Sequence, residues 1–93
     1  MTLEEFRGTL PSATPPSVAP LLLALWHDAR GDWDEAHRIA QEIDAKDGAW
    51  VHAYLHRKEG DQGNAAYWYR QADRPFPSIS LDEEWDEIVA ALI

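Results

Sequence analysis

Two stretches of this 93-residue chain carry one pattern. Ala24-Leu-Trp-His-Asp-Ala-Arg-Gly-Asp-Trp-Asp-Glu-Ala36 aligns with Ala53-Tyr-Leu-His-Arg-Lys-Glu-Gly-Asp-Gln-Gly-Asn-Ala65 at an offset of 29 residues, with identities at Ala24/Ala53, His27/His56, Gly31/Gly60, Asp32/Asp61 and Ala36/Ala65. A fixed period of this size marks a helical repeat, in which neighbouring units bury a core that neither buries alone. No segment alternates with strand period, so a sheet is excluded and the chain reads as all-α.

Local signals divide the chain. Thr2 and Glu5 stand at capping-box spacing, which predicts a short helix from Leu3 to about Thr9. Pro11, Pro15 and Pro16 then make residues 1–16 an N-terminal arm ending in a linker. Ser17 is the expected N-cap of a helix running to about Ala29, with Pro20 in its first turn. Gly31 ends that helix and Asp32 opens the next, whose stripe Trp33, Ala36, Ile39, Ala40 and Ile43 has helical spacing. A break is expected at Asp47-Gly48, followed by a helix over 49–58 burying Trp50, Val51, Tyr54 and Leu55. Gly60-Asp61 repeats the stop and start before a helix over 62–72 that presents Ala65, Trp68, Tyr69 and Ala72. Pro75 and Pro77 end it, and Ser80 with Glu83 caps a last helix carrying Leu81, Trp85, Ile88, Val89 and Leu92, with Asp82, Glu83, Asp86 and Glu87 on a solvated face. The expected architecture is one domain of two tandem antiparallel helical hairpins, residues 17–47 and 48–74, with a capping helix over 80–93.

At the hairpin turns the chain resembles tetratricopeptide-like repeats. Gly31-Asp32-Trp33-Asp34-Glu35-Ala36 is similar to the Gly-Asp-Tyr-x-x-Ala element opening the second helix of such a repeat, and Ala24 and Ala53 stand where that family places a small residue. Ala65-Ala-Tyr-Trp-Tyr-Arg-Gln-Ala72 resembles the Ala-x-x-Trp-Tyr-x-x-Ala signature of Sel-one-like repeats. The resemblance covers residues 18–77. It implies a scaffold that binds a peptide or a partner protein. The 29-residue period is short for the family, and His27 and His56 replace a typical aromatic.

Charge narrows the partners. Seventeen acidic against eight basic side chains leave a net charge of −9, which repels phosphate backbones and anionic membranes. No nucleic-acid or membrane partner is therefore expected, and no apolar run is long enough to span a bilayer. There is no cysteine, so disulfides and thiolate metal sites are absent. The N-terminus Met1-Thr-Leu-Glu-Glu-Phe carries acids where a secretory signal carries bases, and the reading is cytoplasmic. Five tryptophans must pack the core or form a sticky surface, which makes a homodimer one expectation.

Few residues suggest chemistry. His52, His56 and Glu59 fall at i, i+4 and i+7, so one helix face stacks two imidazoles and a carboxylate as candidate metal ligands. Ala53 follows His52 where a zincin has Glu, which excludes that motif. The competing structural reading has the histidines serve the helix C-terminus near Gly60. His27 and His56, equivalent in the repeat, either perform one local task twice or converge between hairpins. His37 is expected at the solvent surface. Asn64, Tyr67 and Arg70 are candidates for a groove, with Arg70 offering a forked donor. No nucleophile-base set and no phosphate-binding glycine loop is present. The expectation is a non-catalytic module, without a cofactor, binding a protein, a peptide or itself through His52, His56, Asn64, Tyr67 and Arg70. The alternative is a metal-dependent or acid-base enzyme using His52, His56 and Glu59.

Overall fold

Six α-helices and no strand make up the regular structure: α1 (Leu3–Gly8), α2 (Pro20–Ala29), α3 (Trp33–Gln41), α4 (Lys46–Glu59), α5 (Gln62–Gln71) and α6 (Leu81–Leu92). The computed structural model describes residues 1–93. None of the helices is long and apolar enough to cross a membrane.

Helix starts follow local chemistry. Capping boxes form at Thr2 with Glu5 and at Ser80 with Glu83, while Asp32 and Asp61 accept from the backbone N–H of Glu35 and Asn64. Each satisfies a first-turn N–H that has no partner inside its helix.

Helix ends are closed the same way three times. Asp32 N–H donates to His27 O at 2.9 Å and Gly31 N–H to Asp28 O at 3.0 Å. Asp61 donates to His56 O at 2.9 Å and Gly60 to Arg57 O at 3.1 Å. Arg74 donates to Tyr69 O at 2.9 Å and Asp73 to Arg70 O at 3.0 Å. This paired closure needs one residue in the left-handed region. Gly31 (φ 85°), Gly60 (φ 91°) and Asp73 (φ 60°) supply it.

Two boundaries differ from expectation. Helix α2 begins at Pro20 with Ala19 as its N-cap, and Ser17 makes no cap bond because Pro20 presets the first helical φ three residues later. Helix α4 begins at Lys46 and runs through Asp47 and Gly48, where a break was expected. The chain turns instead over residues 42–45, where Ile43 N–H reaches Ala40 O and Ala45 N–H reaches Ile43 O. Gly48 is a packing residue: a Cβ there runs into the Ile43 carbonyl oxygen and comes within 3.1 Å of the Ile43 Cβ.

Helix α4 lies at the centre, with every residue from Gly48 to His56 buried. It packs against α2, α3, α5 and α6, and α2 also packs on α3 and α6. Ala24, Ala36, Ala53 and Ala65, the alanines that recur in the sequence, are all wholly buried. Side chains this small let helix axes approach closely. Phe6, Leu25, Val51, Leu55, Ile88 and Val89 fill the space between.

Two acids sit inside this core. Glu84, only 2% exposed, accepts from Trp50 Nε1 at 3.3 Å, Arg57 Nη1 at 2.8 Å and the Tyr69 hydroxyl at 2.7 Å. Asp28 accepts from the Tyr54 hydroxyl at 3.1 Å and Lys58 Nζ at 3.0 Å. Burial, with Asp28 and Glu84 beside them, pushes the Tyr54 and Tyr69 hydroxyls well above the usual phenol range. No buried side-chain nitrogen or oxygen lacks a partner. The two acids therefore work as ties between helices: Glu84 joins α6 to α4 and α5, and Asp28 joins α2 to α4.

Candidate functional site

Helix α4 places two of the site's histidines. Helix α4 must face the core along most of its circumference, so His52 and His56, one turn apart, are drawn in with it and keep 7% and 9% exposure. Helix α3 packs on α4 and brings His37 against both of them.

His37 Nε2 lies 2.9 Å from His52 Nε2. Ring centroids are 4.6 Å apart for His37 and His52, 5.1 Å for His37 and His56, and 4.8 Å for His52 and His56. One nitrogen from each ring lies within 4.8 Å of the other two. Two indoles close the triangle: Trp33 stacks on His37 at 4.8 Å and Trp68 on His52 at 4.1 Å. The Trp33 indole N–H is anchored on Leu55 O at 2.8 Å, which fixes its ring.

Glu59 stands behind this cluster. Its Oε1 is 2.7 Å from His56 Nδ1, so the other ring nitrogen, Nε2, stays free of that bond. Burial first, then the neighbouring His37 and His56 rings, push the His52 imidazole down to about 4. His37 is lowered as well, by burial and then by His56. His37 and His52 therefore carry no proton charge at neutral pH and present lone pairs.

The expected residues separate into groups. His52 and His56 come together, but their third neighbour is His37, from another helix. Glu59 contacts His56 alone, and a second carboxylate, Asp61, joins that pair within ligand-atom distance on the exposed side. The expectation of an exposed His37 is corrected: stacking on Trp33 and the contact with His52 leave it half-buried. His27 and His56 do not converge. They share the turn-closing backbone bond, while the His27 ring turns edge-on to Trp26 at 5.1 Å. Trp68, expected in the core, is half-buried at the cluster's edge.

Asn64, Tyr67 and Arg70 lie on the exposed side of α5. Asn64 is tied to Asp61 through its backbone N–H and its Nδ2 at 3.0 Å. Tyr67 is 45% exposed and meets Trp68 edge-on at 5.1 Å. Asn64, Tyr67, Trp68 and Gln71 follow i, i+3, i+4, i+7 spacing and so share one side of the helix. Beyond Trp68 and His52 opens a hollow of about 350 Å³, walled by Ile43 and edged by Gln41, Gln71 and Lys46.

His37 and Glu84 escaped the sequence reading, although each carried a signal. His37 is one turn from Trp33 and flanked by Ala36 and Ala40, the small residues of the α3 stripe. Glu84 falls between Leu81 and Ile88 at i+3 and i+4, on the buried side of α6.

No family model, no curated protein and no solved structure matches the chain.

Proposed function

We propose that this protein is a small non-catalytic binding module of tetratricopeptide-like build, with α2–α3 and α4–α5 as its two hairpins and α6 as the cap, and that it takes a peptide segment across the α3–α4–α5 face. The matching turn closures after His27 and His56 and the four wholly buried alanines support the repeat. The observation that carries the binding role is the hollow beside His52 and Trp68. It joins an aromatic wall to the amide side chains of Gln41 and Gln71, which match the donors and acceptors of an extended backbone. Tyr67 and Arg70, exposed on α5 as Gln71 is, are the side-chain types that dominate the energetics of protein interfaces. The net charge of −9 favours a basic peptide.

Selection from a random peptide library on the immobilised protein tests this reading. Selected peptides are expected to be basic and to lose about tenfold or more in affinity on Tyr67→Ala and Gln71→Ala, a loss typical of a contact at an interface centre. Far-UV circular dichroism should be unchanged, since both side chains are exposed. Peptides that bind the variants equally well, or a library that yields none, would remove the assignment.

A further inference from the structure

We propose that His37, His52 and His56 form a binding site for one divalent first-row transition ion, zinc being the ion the geometry fits best, with Glu59 as the residue that positions His56. This inference stands apart from peptide binding, because of the three ligands only His52 borders the hollow, and His37 and His56 do not line it.

The ligand set comes first. Imidazole nitrogen suits zinc, copper, nickel and iron, whereas magnesium and calcium take oxygen donors. Tetrahedral zinc holds its nitrogens at about 2.0–2.1 Å, which sets ligand nitrogens about 3.3 Å apart. The His37 and His52 Nε2 atoms already stand at 2.9 Å, and all three donors lie within 4.8 Å of one another. Small ring rotations bring them to the required spacing, the ion taking the place of the hydrogen bond between His37 and His52 while the ring that donated it carries its proton on Nδ1 instead.

The surroundings agree with this. Packing alone gives no reason for three imidazoles here, since apolar side chains would fill the same space between Trp33 and Trp68 without a polar atom to satisfy. Metal-bound histidine characteristically gives its second ring N–H to a carboxylate, which fixes tautomer and ring orientation. Glu59 Oε1 at 2.7 Å from His56 Nδ1 is that arrangement, and it leaves Nε2 as the nitrogen free for an ion. Three protein ligands leave a fourth position for water or for a donor from a bound molecule.

The test uses the untagged full chain, stripped with chelator and titrated with cobalt(II) and zinc(II). Cobalt is expected to give the visible absorption of a four-coordinate ion at one equivalent, to quench the tryptophans stacked on the ligands, and to be displaced by zinc. His37→Asn, at a half-exposed position that preserves the fold, should abolish the absorption. Glu59→Gln should weaken zinc by about 10–100-fold, the usual effect of losing such a partner, while Glu59→Asp restores part of it. Tyr67→Ala should leave the stoichiometry at one, so that failure of peptide binding and failure of metal binding are read separately. The proposal is overturned if the wild type takes up no cobalt, or binds zinc no more tightly than His37→Asn with circular dichroism showing both folded.

Discussion

His37 and His52 meet through their Nε2 atoms at 2.9 Å although 15 residues separate them along the chain. Helix α3 delivers the first and α4 the second, so the contact ties together two helices joined by the turn over residues 42–45. Such a pair makes stability depend on pH. In the unfolded chain a histidine titrates near about 6.5, while burial and the rings of His37 and His56 hold His52 at about 4 in the native protein. His37 is displaced in the same direction. Below the unfolded value the unfolded chain binds protons that the native state refuses, so the native state loses ground. Stability of the metal-free protein is therefore expected to be level above about pH 6.5 and to fall steadily toward pH 4. Urea midpoints across that interval measure it. His52→Gln should flatten part of the fall, and an unchanged slope in that variant would assign the dependence to other groups.

Glu84 carries the largest single stability effect expected in the molecule. Its carboxylate receives Arg57, Tyr69 and Trp50 inside the core, and Arg57 also reaches Ile79 O. Removing one partner of a buried pair leaves the other charge uncompensated, at a cost of about 3–5 kcal/mol. Glu84→Ala should therefore lower the urea midpoint sharply while leaving the protein largely folded in water, since a small domain holds about 5–15 kcal/mol in total. Glu84→Ala with Arg57→Met should be less harmful than the single change. A double variant that is worse would mean that the two side chains stabilise independently.

What was legible in the sequence is what short-range chemistry decides. Gly31 and Gly60 with the Asp that follows, and Thr2 or Ser80 with Glu three residues on, act within one turn of chain, and all of them form the bonds their spacing implies. The spacing of His52 and His56 put both on one helix face for the same reason. His37 was not legible, because its neighbour depends on where α3 crosses α4. Glu84 sits among Asp82, Glu83, Asp86 and Glu87, all acids of like composition. Only the phase of α6 against the core selects it for burial, while those four acids stay at or near the surface.

Gly48 reverses a familiar rule in the same way. Glycine in a helix interior usually costs about 1 kcal/mol relative to alanine, so Gly48→Ala would ordinarily stabilise α4. Here the added Cβ meets the Ile43 carbonyl oxygen, which belongs to the backbone and cannot rotate away. Overpacking of this kind costs about 1–3 kcal/mol. Gly48→Ala is expected to lower stability by up to about 2 kcal/mol once the propensity gain is set against that cost. Denaturation in urea reads the sign directly, and a stabilised variant would show that the turn over residues 42–45 moves freely.

Gly60 presents the opposite case, a glycine with open space around it. Nothing lies within 4 Å of a Cβ built there, yet φ is 91°. Any loss on substitution is therefore a backbone effect, about 1–2 kcal/mol for an ordinary L-residue in the left-handed region. The third turn shows how that cost is reduced, because Asp73 makes the same closure at φ 60° with a short polar side chain. Asn shares this tolerance, its side chain bonding locally to the backbone. Gly60→Ala is expected to destabilise by about 1–2 kcal/mol and Gly60→Asn by clearly less. Equal losses in the two variants would place the cost in the α4–α5 packing and not in the dihedral angle.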